Sequence, residues 1–261
     1  MLYGTIYGDI AGSTYEFRSV KDYNFTTVPS KSTFTDDTVM TCAVALWLME
    51  DKKDLNMLVK CMQKMGQRFP RAGYGGMFRK WLVADDPKPY GSFGNGSAMR
   101  VSPCAWVAQT LEEAEELARL SAIVTHDHPE GIKGAQSVAA AIYMARNGSS
   151  KEDIKKYITE KYGYNLNRTI SGIKTSGYRF DSTCQGSVPE SIIAFLEGKD
   201  FEEVIRLAIY LGGDADTQAA IAGSIAEAFY GFPTRLYGDV DKRLDRELTT
   251  IVNKFNNYCH A

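Results

Sequence analysis

Apolar residues recur along most of the chain at intervals of three and four rather than two, the period of a helix with one buried face. Thr38 to Glu50 (TVMTCAVALWLME) follows a Thr-Asp-Asp start, Leu55 to Gln67 sets Leu58, Val59, Met62 and Met65 on one face, and Leu111 to Val124 opens on acids. Pro129 to Arg146 begins with proline in its first turn, Lys151 to Tyr162 is amphipathic, and Pro189 to Glu197 stops at Gly198. Phe201 to Leu211, Thr217 to Tyr230 and Lys242 to Tyr258 complete the predicted helices. No alternating run of β-branched residues is long enough to build a sheet, so the pattern predicts an all-α fold.

Loops rich in Gly, Pro and Asp are expected at Asp22 to Thr35, Arg71 to Gly76, Asp85 to Gly96, Ser171 to Val188, and around Gly212 and Gly213. None resembles an interdomain linker and no fixed-period repeat is present, so a single domain over residues 1–261 is expected. An N-terminal helix carries Gly4, Gly8, Gly12 and then Glu16, a spacing of four that stacks them down one side and admits a close helix crossing. Asp9 and Glu16, seven apart, are expected near that side, where an acid needs something cationic to meet it.

Composition narrows the partners. With 44% apolar residues the chain can bury a sizeable core, and 30 basic against 32 acidic residues leave a net charge of −2, which gives no electrostatic support for nucleic acid or an anionic membrane. The longest apolar run, Cys42 to Met49, is far short of the ~20 residues that span a bilayer, and no basic stretch precedes an apolar run near Met1; a cytoplasmic protein is expected. Cys42, Cys61, Cys104, Cys184 and Cys259 are scattered, form no zinc spacing, and read as reduced core residues.

Candidate chemistry lies in two acidic clusters at loop-to-helix junctions: Thr35-Asp36-Asp37-Thr38 and Asp214-Ala215-Asp216-Thr217. Helix capping would explain one such cluster. Two clusters in front of apolar helices, joined by Glu16, would place five carboxylates together, and their repulsion calls for protonation or cations. An all-oxygen donor set favours Mg²⁺ or Mn²⁺ over zinc. Two glycine-rich loops, Arg71 to Trp81 and Tyr90 to Pro103, each alone read as turns, although glycines also let a backbone approach a ligand closely. Of the three histidines, His126 is expected to contact ligand rather than metal, and His260 to fray near the C-terminus.

These segments in order, GDIAGSTYEF (Gly8 to Phe17), FTDDTVMT (Phe34 to Thr41), GYGGMFRKW (Gly73 to Trp81), GSFGNGSAMRVSP (Gly91 to Pro103), THDHPEGIKGA (Thr125 to Ala135) and LGGDADTQAAIAG (Leu211 to Gly223), resemble the ADP-ribosylglycohydrolase family over nearly the whole chain. The resemblance implies an orthogonal helical bundle with a cleft holding two Mg²⁺ or Mn²⁺ ions. It implies Thr35, Asp36 and Asp37 on one ion, Asp214, Asp216 and Thr217 on the other, one Asp of the second cluster bridging, and Glu16 as a flexible acidic neighbour. Gly73, Tyr74, Gly75 and Gly76 match a loop around a diphosphate, and Ser92, Phe93, Gly94, Asn95 and His126 match positions around the adenosine side, Phe93 stacking on adenine.

The expected reaction is metal-dependent hydrolysis of the glycosidic bond joining ADP-ribose to an acceptor, with Glu16 or Asp37 activating water. The expected partner is an ADP-ribosylated protein or a small ADP-ribose ester: ADP-ribosyl-arginine first, then ADP-ribosyl-serine or O-acetyl-ADP-ribose, with nucleic acid conjugates disfavoured by charge. Two rivals remain at this level: a nucleotide-diphosphate phosphohydrolase, which would release AMP, and a non-catalytic ADP-ribose-binding module.

Overall fold

A computed structural model describes residues 1–52 and 54–260. Among them fifteen α-helices follow one another with no strand, the sole bridge pair being Gly94 with Thr183. The helices are α1 (Tyr3–Gly12), α2 (Asp36–Asp51), α3 (Leu55–Arg68), α4 (Gly76–Leu82), α5 (Gly96–Met99), α6 (Ser102–Val107), α7 (Leu111–Ile123) and α8 (Pro129–Arg146). After them come α9 (Lys151–Tyr162), α10 (Ile170–Thr175), α11 (Cys184–Glu197), α12 (Phe201–Leu211), α13 (Ala215–Tyr230), α14 (Tyr237–Asp241) and α15 (Arg246–His260). None is long and apolar enough to cross a membrane.

α13 forms the centre, buried on every side from Ala215 to Glu227, with α1, α8, α11 and α12 around it. Small residues make this crowding feasible. Added Cβ atoms on Gly4, Gly8 and Gly12 would fall 2.2, 2.0 and 2.3 Å from the carbonyl oxygens of Gly223, Ala219 and Ala215, so the glycine face of α1 lies directly on the α13 backbone. Glycine in a helix costs about 1 kcal/mol relative to alanine, and the close crossing offsets that loss by burying both helices. Leu2 offers no side-chain cap to α1; the Gly4 N–H donates instead to the Glu227 carboxylate of α13 at 2.8 Å.

Capping sets most other boundaries. Thr35, Asp54, Thr110, Ser150, Thr169, Thr183 and Asp200 each accept a backbone N–H from the first turn of the helix they precede. α7 and α9 are tied through Glu115, which accepts from Tyr157, Tyr162 and Lys161 at 2.7, 2.6 and 2.6 Å. All five cysteines are unpaired, and Cys42, Cys61, Cys104 and Cys184 are buried.

Four expectations are corrected. α1 ends at Gly12, so Glu16 is not on its stripe: the Ser13 hydroxyl donates back to the Ile10 carbonyl, Tyr15 meets Phe25 edge to face at 5.3 Å, and the chain leaves in tight turns. The expected loop from Ser171 to Val188 contains most of α10 and the start of α11. Thr183 caps that helix, which starts at Cys184, five residues before its predicted start, leaving Pro189 in the interior, where Cys184 and Val188 extend the buried face. The C-terminal helix starts at Arg246 rather than Lys242, because the short α14 and a turn at residues 242–245 come first. His260 is the last residue of α15 and is helical.

Candidate active site and metal centre

Three stretches far apart in sequence meet where α1 crosses α13. Asp9, in the second turn of α1, is wholly buried and accepts four hydrogen bonds from the start of α2: the Thr35 N–H at 2.9 Å, the Thr35 hydroxyl at 2.7 Å, the Thr38 N–H at 3.1 Å and the Thr38 hydroxyl. It therefore clamps α2 so that Asp37 faces α13. The Thr217 hydroxyl donates to Asp37 Oδ2 at 3.3 Å, which brings the positive N-terminal ends of α2 and α13 to the same carboxylates.

Capping explains Thr35 but not Asp214, whose side chain caps nothing and instead accepts from Asn95 Nδ2 at 2.8 Å. The turn after α1 delivers Glu16, half-buried, beside Asp214 and Asp216. Two carboxylate trios result, Asp9 with Asp37 and Asp216, and Glu16 with Asp214 and Asp216; within each, ligand oxygens lie within 4.8 Å of one another, and Asp216 belongs to both. Asp36 stands outside the trios on the cavity wall, its N–H donating to the Ala72 carbonyl at 2.8 Å. Thr35 turns its hydroxyl to Asp9 and does not line the cavity.

Burial dominates the electrostatics. It holds Asp37 and Asp216 well above the usual carboxylate range, with neighbouring carboxylates adding to the effect, and pushes Glu16 and Asp36 up to about 7. Asp9 rises to about 6, because four donors partly offset its burial. Asp214 is raised as well. The ion pairs among the described residues all lie elsewhere, and the buried Oδ1 of Asp37 has no partner. An unsatisfied carboxylate oxygen among clustered acids, with only carboxylate and hydroxyl donors nearby, fits a hard divalent cation.

A cavity of about 640 Å³ extends away from the acids. One wall is the loop before α4. Gly73 has φ +110, with Asp36 Oδ1 only 3.2 Å from where a Cβ would stand, so glycine is required there, while Gly75 and Gly76 face open space. Tyr74 does not share this exposure: it is 2% exposed, with its ring on Phe78 at 5.7 Å, and it anchors the loop from beneath.

A further part of the wall is the loop from Tyr90 to Gly96, stitched to the start of α11 by the Asn95 N–H to the Ser182 carbonyl at 2.8 Å and the Cys184 N–H to the Phe93 carbonyl at 2.9 Å. Ser92 Oγ accepts the Gly94 N–H at 3.2 Å, and Asn95 shares its amide between Asp214 and Ser187. Phe93 is 45% exposed at the rim, 5.2 Å from the ring of His128, which itself caps α8. His126 is buried in the wall. Asp9, Arg100, Phe180, Ser182 and Thr183 also belong to the site, although the sequence does not mark them for it; the last three lie in the expected loop from Ser171 to Val188.

A family profile described as ADP-ribosylglycohydrolase matches residues 1–260. The chain belongs to the ADP-ribosylglycohydrolase family. It is similar to the ADP-ribosylhydrolase ARH3 of Mus musculus and of Homo sapiens, 28% identical in each case, over 88% of this chain and 82% and 84% of theirs. The ADP-ribosylarginine hydrolase Tri1 of Pseudomonas putida is 29% identical over 58% of this chain and 41% of its own length. A solved ADP-ribosylglycohydrolase-related protein complex shares the fold, with a TM-score of 0.69 and 25% identity over 96% of this chain and 93% of that one. For this ADP-ribosylglycohydrolase-family chain, the acidic trios and the glycine-walled cavity are thus parts of one connected site.

Proposed function

We propose that this protein hydrolyses the glycosidic bond between ADP-ribose and an acceptor in a reaction that requires divalent metal, with ADP-ribosyl-arginine as its first substrate. The observation that carries the reading is Asp216, common to two carboxylate trios at one end of a cavity large enough for a nucleotide-sized ligand. The relatives named as ADP-ribosylhydrolases support the reaction class.

Two Mg²⁺ or Mn²⁺ ions would be held by Asp37, Asp214, Asp216 and Glu16, with Asp9, Asp36 and the hydroxyls of Thr35 and Thr217 close by. When bound, such ions neutralise the cluster and polarise ribose hydroxyls. Glu16 is the least enclosed of the trio members and takes the proton of the attacking water. The water oxygen bonds to the anomeric carbon, the bond to the acceptor breaks, and the acceptor leaves with a proton, giving free ADP-ribose. Asp37, fully buried, holds its neighbours rather than meeting water. Gly73, Gly75 and Gly76 leave room for the diphosphate, and Phe93 offers a face to adenine.

The arginine acceptor is supported by the rings next to Glu16. Phe17, 80% exposed, stacks on Phe180 of the cavity wall at 5.8 Å with 23° between planes, a surface suited to a planar guanidinium beside a carboxylate. Turnover of ADP-ribosyl-arginine peptide, ADP-ribosyl-serine peptide and O-acetyl-ADP-ribose, followed by mass spectrometry with and without chelator, tests the proposal. Free ADP-ribose released only with metal, and fastest from arginine, is the expected result. AMP as product, or binding of ADP-ribose without turnover of any substrate, would overturn it.

A further inference from the structure

The two ring nitrogens of His126 have different surroundings. Nδ1 is 2.7 Å from the Thr125 hydroxyl. Nε2 has no hydrogen-bond partner among the described residues, and it lies 3.2 Å from where a Cβ would stand on Gly96 and 3.7 Å from the same point on Gly94, so the glycines of the cavity loop make room for it.

Arg100 decides the direction of the Thr125–His126 bond. This arginine is 1% exposed on the cavity wall, and no ion pair includes it. Its guanidinium nitrogen donates to the Ser121 carbonyl and to Thr125 Oγ1, both at 2.8 Å. A guanidinium can only donate, so Thr125 Oγ1 accepts there and has its own proton left to give. The Ala122 carbonyl, 3.5 Å away, already accepts the Thr125 and His126 N–H groups at 3.0 and 2.7 Å and is a poor outlet for that proton, so the hydroxyl donates to His126 Nδ1 at 2.7 Å. Nδ1 then accepts, and in a neutral imidazole the remaining proton sits on Nε2. Burial, together with the Arg100 charge, keeps the ring neutral by holding its pKa well below the ordinary histidine value.

We infer that Arg100 and Thr125 are positioning residues that lock His126 in the Nε2–H tautomer, so that the cavity presents a neutral hydrogen-bond donor to a phosphoryl or hydroxyl oxygen of its ligand. The tautomer follows from the protein alone; only the identity of the ligand rests on the ADP-ribose reading. A neutral donor in this place binds an oxygen without depending on pH across the physiological range, which a titrating histidine would not do. Arg100 contributes no direct contact in this arrangement and acts through the hydroxyl of Thr125.

The test uses the full chain with Mg²⁺ supplied. Long-range ¹⁵N–¹H correlation of histidine-labelled protein, with the signal assigned by its loss in His126→Gln, is expected to show a protonated Nε2 and a bare Nδ1. The Thr125→Ser variant should keep that signature and ADP-ribose affinity, whereas Thr125→Val should mix the tautomers and weaken ADP-ribose binding by about tenfold. In a His126→Gln background, Thr125→Val should have no further effect on ADP-ribose affinity. A protonated Nδ1 in the parent protein would overturn the inference, as would an equal loss from Thr125→Val with and without His126. Should ADP-ribose not bind the parent protein, the ligand reading fails, while the spectrum still decides the tautomer.

Discussion

Gly8 of α1 lies so close to Ala219 of α13 that a methyl group on it would sit 2.0 Å from the Ala219 carbonyl oxygen. The Ala219 carbonyl carbon at 2.3 Å and the Ala220 nitrogen at 2.6 Å are backbone too, so neither helix can yield by changing a rotamer. Gly8→Ala is expected to destabilise the protein by about 2–3 kcal/mol or more, because overpacking here must move whole helices. It should also weaken metal binding, since the next residue is Asp9. Gly75→Ala is the control: φ there is −61 and an added Cβ meets nothing within 4 Å, so denaturant midpoints should match the parent protein.

Because Asp216 serves both trios, Asp216→Asn should lower turnover by at least about 100-fold and remove high-affinity metal binding in calorimetry. The same variant, once chelated, should melt higher than the chelated parent, since one source of repulsion is gone. A variant that keeps parental turnover with metal present would refute the shared-ligand assignment.

The metal-free protein should lose stability as pH rises. Glu16, Asp36 and Asp9, pushed up to about 7, 7 and 6 by burial, have folded values above their unfolded ones. Protonation therefore favours the fold: stability is full below the ordinary carboxylate range and declines as pH climbs through about 6 to 7. Melting temperatures in chelator from about pH 5 to about pH 8 should fall, and added Mg²⁺ or Mn²⁺ should restore them most at the upper end. A flat profile in chelator would contradict this.

Phe93→Ala should raise KM for ADP-ribosyl substrates by about tenfold with little change in kcat, the signature of a stacking contact made equally in ground and transition states. Competition by ADP-ribose should weaken in parallel. A fall in kcat at unchanged KM would place Phe93 nearer the chemistry than the rim.

The sequence reveals the helices because their apolar stripes and Ser, Thr and Asp caps are local signals; α8, α9 and α12 keep their predicted bounds for that reason. It reveals the two acidic junctions because adjacent carboxylates ahead of buried helices have no packing use. It misplaces Glu16 because the turn after Gly12 is set by Tyr15 meeting Phe25, a contact that no spacing encodes. Asp9 looks like one acid on a helix until Thr35 and Thr38 are seen donating to it from another element. Arg100, His126 and Phe180 acquire their roles only when α5, the end of α7 and the segment before α11 share one cavity.

The crossing of α1 with α13 also governs when the site can exist. The two helices are about 200 residues apart, so at roughly 5–20 residues per second of synthesis the glycine face of α1 waits about 10–40 s for the helix that covers it. Asp9 and Asp37 emerge early, but Asp216 joins them only after α13 does. A nascent chain shorter than that holds an incomplete carboxylate set, which makes divalent-metal capture a late event that reports a finished fold.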